Sequence, residues 1–242
     1  MELEQRLRQP IVVVLGHVDS GKTSLLDKIR GTAVQEREAG GITQEIGASF
    51  FPLETLKAIC GPLLQRTGGE LKVPGLLFID TPGHEVFSNL RVRGGSAADI
   101  AIVVVDAMKG LENQTVESID ILKQRKVPFL IALNKIDMIK GWKKTESKFL
   151  FQTLKEQPDE WRDELELRLY NVATSVSLLG FKADAYYRVK DFRSYVSIVP
   201  VSARYGVGIP ELLAVLIGLA QQFLAGRLRL IKNESARGII LL

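Results

Sequence analysis

An apolar run, Ile11-Val12-Val13-Val14-Leu15, stops at Gly16, and Gly16-His17-Val18-Asp19-Ser20-Gly21-Lys22-Thr23 follows before a stretch with helical spacing. Two glycines at that separation, then lysine and a hydroxyl residue, fit G-x-x-x-x-G-K-[ST] in full. The pattern commits the chain to a buried strand, a tight loop and a helix in that order. Glycines at both ends let the backbone wrap, so that successive N–H groups and the helix N-terminus aim at one anion. The residues read as cradling phosphates are Val18, Asp19, Ser20, Gly21, Lys22, Thr23 and Ser24. Lys22 reaches the β- and γ-phosphates and counts among the catalytic groups, while the Thr23 hydroxyl sits on Mg²⁺. The side chains of His17 and Ser20 read as filler within the pattern. Asp19 stays open between two roles, because a carboxylate beside phosphates is costly unless offset. It either binds a monovalent cation (Na⁺ or K⁺) or N–H groups, or it simply stabilises the loop.

The strand-then-helix rhythm continues along the chain. Apolar runs recur at residues 76–79, 100–105, 128–133 and 196–201, with helical periodicity at 24–30, 113–125 and 210–223. Such alternation argues for an α/β fold of the P-loop NTPase kind, a mostly parallel sheet with helices on both faces. Two stretches interrupt it. Residues 31–75 hold Gly40-Gly41 and a predicted helix over 53–65 closed by Gly68-Gly69. Residues 141–194 read as a helical insertion before the last strand, where Pro158 opens the series Trp161, Leu165, Leu169, Val172 and Val176 that ends at Gly180. That apolar stripe is most simply a packing face. The expected division is a domain over 1–225 carrying the insertion, then a linker and first strand over 226–242 of a truncated, β-rich barrel domain. The tail Gly238-Ile239-Ile240-Leu241-Leu242 carries that expectation, since an unpaired apolar strand is costly.

Composition excludes more than it selects. The 242 residues contain one cysteine, Cys60, which rules out an internal disulfide. No run approaches the roughly 18 apolar residues of a membrane span, and the first residues lack the regions of a signal peptide. A soluble, cytoplasmic monomer without a membrane partner is expected. A net charge of +4 over 32 basic and 28 acidic residues permits contact with RNA without demanding it.

Asn134-Lys135-Ile136-Asp137 follows directly on the strand ending at Leu133. The Asp137 carboxylate offers two acceptors that match guanine's N1 and N2 donors. Adenine would leave it desolvated and unpaired, a mismatch on the order of 10⁴-fold at sites built to hydrogen-bond. Asn134 supports the loop and contacts the base, and the Lys135 stem covers the ring. Ser202-Ala203-Arg204, between the last strand and last helix, is a second base-contacting loop by position, with the Ala203 N–H toward guanine O6. Asp80-Thr81-Pro82-Gly83-His84 ends another strand. Asp80 is expected to hold Mg²⁺ through water, Gly83 to offer its N–H to the γ-phosphate, and His84 to orient the attacking water. Thr43 is expected to complete the Mg²⁺ shell only when the γ-phosphate is present, ordering its loop with GTP and releasing it after hydrolysis. Arg91 and Arg93 read as a solvated helix face. No arginine is an obvious cis finger, so slow intrinsic hydrolysis awaiting an external activator is expected.

Gly16-His17-Val18-Asp19 with Gly21-Lys22-Thr23, Gly41-Ile42-Thr43-Gln44, Asp80-Thr81-Pro82-Gly83-His84 and Asn134-Lys135-Ile136-Asp137 resemble the translational GTPases. Ile42 to Ala48, Val73 to Asp80, Gly141-Trp142 and the long insertion are similar to the initiation factor five B family of archaea and eukaryotes, relatives of bacterial initiation factor two. The short acidic N-terminus resembles an archaeal form. The resemblance implies hydrolysis of GTP to GDP on the ribosome during subunit joining, with large-subunit ribosomal RNA acting at His84. It also implies that initiator tRNA is bound by domains absent from this chain. Ser20 departs from the family, where many members carry histidine. An elongation-type factor delivering aminoacyl-tRNA, and a GTP-binding interaction module without relevant turnover, stay open as alternatives.

Overall fold

The computed structural model describes residues 7–35, 43–45, 48–61, 63–64, 73–79, 98–224 and 228. Eight strands form one sheet: β1 Ile11–Gly16, β2 Thr43–Glu45, β3 Ala48–Pro52, β4 Gly75–Ile79, β5 Ile100–Asp106, β6 Phe129–Asn134, β7 Lys182–Ala185 and β8 Tyr195–Pro200. Their order is β2-β3-β4-β1-β5-β6-β8-β7. From β4 to β7 every pairing is parallel, and β2 and β3 add an antiparallel edge.

The central strands are apolar throughout because both faces are covered. Period-2 alternation sends Val12, Val14, Ile100, Ile102, Leu130 and Ala132 into one core. There they meet α1 (Lys22–Gln35), α2 (Leu53–Cys60) and α6 (Ile209–Leu224). Their neighbours Val13, Leu15, Val103, Val105, Ile131 and Leu133 face the opposite core. That core packs on α3 (Asn113–Arg125) and α5 (Asp159–Leu178), with the first residue of α4 (Leu150–Glu156) joining it. The five buried residues predicted on α5 are those it buries, Trp161 to Val176. Cys60 is fully buried, and desolvation pushes its thiol pKa well up, as for an inert core residue.

Three expectations are corrected. The helix predicted over 53–65 stops at Cys60, with Gly61 as its C-cap, and Gly68-Gly69 lie outside the described residues. The stretch 31–75 also supplies β2, three residues long, and β3, whose alternating pattern (Ser49 and Phe51 in, neighbours half out) did not read as an apolar run. The 141–194 insertion is not purely helical: after α5 it adds β7, paired in parallel with β8 from Lys182↔Tyr195 to Ala185↔Ile198. Beyond α6, Leu228 is buried in the first core and its carbonyl accepts the Arg8 N–H at 2.8 Å. Among the described residues no helix is long and apolar enough to cross a membrane.

Candidate functional site

The parallel strands deliver their C-terminal ends to one side of the sheet, where ligands of open α/β folds bind. β1 runs out at Gly16, β5 at Asp106, β6 at Asn134 and β8 just before Val201 and Ser202. The loops read from sequence as contacting phosphate and base therefore converge, although up to 116 positions separate their hydrogen-bonded partners.

The phosphate loop is shaped by its glycines. Gly21 has φ +94°, and a Cβ there would lie 2.3 Å from Asn134 Nδ2. Only a bare backbone lets the loop approach the β6 turn so closely. Asp19 also takes a left-handed φ of 62°. Lys22 Nζ donates to the carbonyls of Gly16 at 2.9 Å and His17 at 2.7 Å, bracing the loop across its mouth. Partial burial lowers the Lys22 pKa, opposed by the Asp19 charge. Thr23 and Ser24, in the first turn of α1, are exposed. The Val18 N–H donates to Gln114 Oε1 at 3.0 Å.

The two base loops are tied to the phosphate loop and to each other. Asn134 donates from Nδ2 to the Ser20 carbonyl at 3.0 Å and accepts the Ala203 N–H at Oδ1, also at 3.0 Å. The Ala203 N–H, expected toward a base oxygen, is thus already engaged. Lys135, held at φ 69°, donates from Nζ to the Asp19 carbonyl at 2.6 Å and to Asp106 Oδ2 at 2.8 Å. Ser202 Oγ donates to Asp137 Oδ1 at 2.6 Å, fixing the carboxylate, and accepts the Tyr205 N–H at 3.2 Å. Arg204 is exposed, its guanidinium 5.4 Å from the Tyr205 ring.

Sequence reasoning missed Asp106, buried at the end of β5, which takes Lys135 on one oxygen and the Met108 N–H on the other at 2.8 Å. A carboxylate closing an apolar strand at the ligand edge was the available signal. It also missed Gln114 and Tyr205, and read Trp161 only as part of a packing face. Asp80, Gly83 and His84 lie outside the described residues, as do Arg91 and Arg93. Of Thr43 only the backbone, opening β2, is described.

The donor set suits a nucleotide with Mg²⁺. Among the described residues no three His, Cys, Asp or Glu side chains gather into a metal site. Exposed hydroxyls at a helix start beside a loop of backbone amides suit an ion that binds mainly through phosphate and water, as Mg²⁺ does.

Comparison with known proteins agrees with this geometry. A family profile described as "Elongation factor Tu GTP binding domain" matches residues 7–222. The chain is 56% identical over 237 residues to a probable translation initiation factor IF-2 of Thermofilum pendens, covering 98% of this chain and 39% of that protein. It is 55% identical over 238 residues to the corresponding protein of Metallosphaera sedula, covering 98% and 40%. The chain thus spans about 40% of the length of the curated relatives it matches. The crystal structure of GDP-bound aIF5B from Aeropyrum pernix superposes with TM-score 0.89 at 57% identity, over 94% of this chain and 38% of that one. The elongation factor SelB of Methanococcus maripaludis, in complex with a GTP analogue, shares the fold at TM-score 0.53 and 21% identity, over 96% of this chain and 37% of that one.

Proposed function

The chain belongs to the elongation factor Tu GTP-binding domain family of translational GTPases, in the branch of archaeal IF-2, and on that premise we propose that it is the GTP-binding and GTP-hydrolysing switch of an initiation factor that promotes ribosomal subunit joining. One observation carries the reading. Asn134 joins the phosphate loop at Ser20 to the third loop at Ala203, while Ser202 holds the Asp137 carboxylate. This is the arrangement needed for a carboxylate to meet guanine's N1–H and 2-amino group while the triphosphate lies on the loop amides.

Within that reading, Val18 to Ser24 take the phosphates and Lys22 turns from the Gly16 and His17 carbonyls toward the β- and γ-phosphates. Lys135 flanks the base, with Arg204 at the rim. Mg²⁺ would be held by the Thr23 and Thr43 hydroxyls and by Asp80 through water, and when bound it neutralises charge on the β- and γ-oxygens. Gly83 offers its N–H to the γ-phosphate, and His84 orients water for in-line attack on phosphorus, which leaves GDP and phosphate. Ribosomal RNA of the large subunit stimulates that step, and initiator tRNA is held elsewhere in the full factor. Residues 226–242, expected as a linker and first strand of a further domain, lie outside the described residues apart from Leu228. A monovalent cation at Asp19 belongs to the same proposal.

Two measurements test it. The purified chain with magnesium should bind GTP and GDP and discriminate against ATP. Asp137→Asn should weaken GTP and improve xanthosine triphosphate, and an unchanged preference would remove the base assignment. With ribosomes, single-turnover hydrolysis by His84→Ala should fall by about 10²-fold or more. A variant as fast as wild type removes the water-orienting role.

A further inference from the structure

The 141–194 insertion has no part in the site as read so far, yet its aromatic residues touch both base loops. Trp161, on α5 and fully buried, donates its indole N–H to the Ile136 carbonyl at 3.3 Å. Ile136 is the residue before Asp137, within the single 3₁₀ turn Ile136–Met138 that presents the carboxylate. Trp142 packs against Trp161 at 5.3 Å between ring centroids and stacks on Tyr205 at 6.2 Å, with planes 29° apart. Tyr205 is in the other base loop, its N–H on Ser202 Oγ. Lys148, also from the insertion, donates to the Tyr205 carbonyl at 2.9 Å, and its own carbonyl accepts the Gly208 N–H at 2.9 Å.

We propose that the insertion is a specificity brace, in which Trp161 and Lys148 act as positioning residues that hold Asp137 and Ser202 in the register that reads guanine's 2-amino group. The turn and the loop are bonded to each other and within themselves, Ile136 N–H to the Val201 carbonyl at 3.4 Å and Ser202 N–H to the Val207 carbonyl at 2.9 Å, and the brace anchors that pair to the insertion. It supplies one hydrogen bond to the turn and two to the loop, joined through packed aromatic rings that lose little side-chain entropy on ordering. Asp137 needs both carboxylate oxygens in the base plane to take two donors, so a small rotation sacrifices the second contact before the first. Phosphate binding is built on β1 and α1, whose loop is held by Asn134 and Lys135 rather than by Trp161 or Lys148.

The inference rests on the guanine reading above, and the test separates the two. GDP and inosine diphosphate differ only by the 2-amino group, so the dissociation constant of inosine diphosphate divided by that of GDP measures the second Asp137 contact. In Trp161→Phe an aromatic ring remains, smaller than the indole, and the N–H is lost. The ratio should fall by about three- to tenfold, the worth of one buried hydrogen bond, through weaker GDP binding with inosine diphosphate little changed. Lys148→Met, at an exposed position, should lower the ratio in the same direction. A merely structural role would lower the melting temperature or weaken both nucleotides together, leaving the ratio at its wild-type value, and that result overturns the proposal. Should Trp161→Phe fail to fold, Lys148→Met decides alone, a retained ratio again overturning it. Wild-type protein that binds ADP as well as GDP defeats the guanine reading itself, whereas GDP-selective wild type with GDP-selective variants defeats the brace only.

Discussion

A methyl group on Gly21 would sit 2.3 Å from the Asn134 side-chain nitrogen, on a backbone already at φ +94°. Gly21→Ala must therefore push the phosphate loop away from the β6 turn and break the bond from Asn134 to Ser20. We expect a loss of about 2–4 kcal/mol in stability, read by urea denaturation, together with weaker GDP binding. Asn134→Ala removes both ends of the bridge and strands the buried Ala203 N–H, so a cost of about 2–3 kcal/mol is expected by the same measurement. These residues were legible because their chemistry is local: glycines five apart with lysine and threonine, and a carboxylate three after asparagine. How they use their hydrogen bonds was not. That Asn134 spends its amide on two other loops, that Ser202 serves Asp137, and that Lys135 salt-bridges Asp106 are relations between segments far apart in the chain, which no spacing rule encodes.

At the level of elements, Glu211 joins two helices of different origin. It lies in the first turn of α6, almost fully buried, and its Oε1 accepts the N–H of Leu150, the first residue of α4, at 2.7 Å. Burial pushes its pKa from 4.5 up to about 7, against the pull of backbone amides including those of Leu150 and Phe151. The folded protein then keeps a proton that the unfolded chain has released between those two values. Stability from this group is present below pH 4.5 and declines as pH rises toward 7, by up to ~3 kcal/mol. Glu211→Gln keeps an acceptor for Leu150 without a charge. It should flatten that decline and raise the melting temperature at pH 8 relative to wild type, checked by thermal unfolding across pH 5–8. Helices α3 and α5 were legible from their apolar periodicity. β7 was not, because Lys182-Ala183-Asp184-Ala185 carries no apolar run. Its charged residues suit an edge: it covers the buried strand β8 and leaves solvent a short, charged border that discourages pairing with other chains.

Over the whole molecule, the sheet order brings the loops after β1, β5, β6 and β8 to one edge, so a nucleotide bound as proposed would contact segments from β1 through β8. Ligand that binds only the folded state stabilises by mass action. GDP at about 100 times its dissociation constant should add ~2.7 kcal/mol, a rise of roughly 5–10 °C in the melting temperature for a domain of this size. Thermal unfolding with and without GDP and magnesium checks this, and ATP at equal concentration should give less. The α/β class was legible because buried parallel strands are apolar on both faces. The antiparallel edge was not, since β2 has three residues and β3 is short and alternates between buried and half-buried positions.

The attachment of Lys135 has one more effect. Its ammonium grips the Asp19 carbonyl from the far side, and next to it Asn134 grips Ser20. The turn proposed to recognise the base is thus clasped to the loop proposed to take the phosphates. A body prying at residues 134–137 would unfasten a spent nucleotide at both ends together, making its departure one event instead of two.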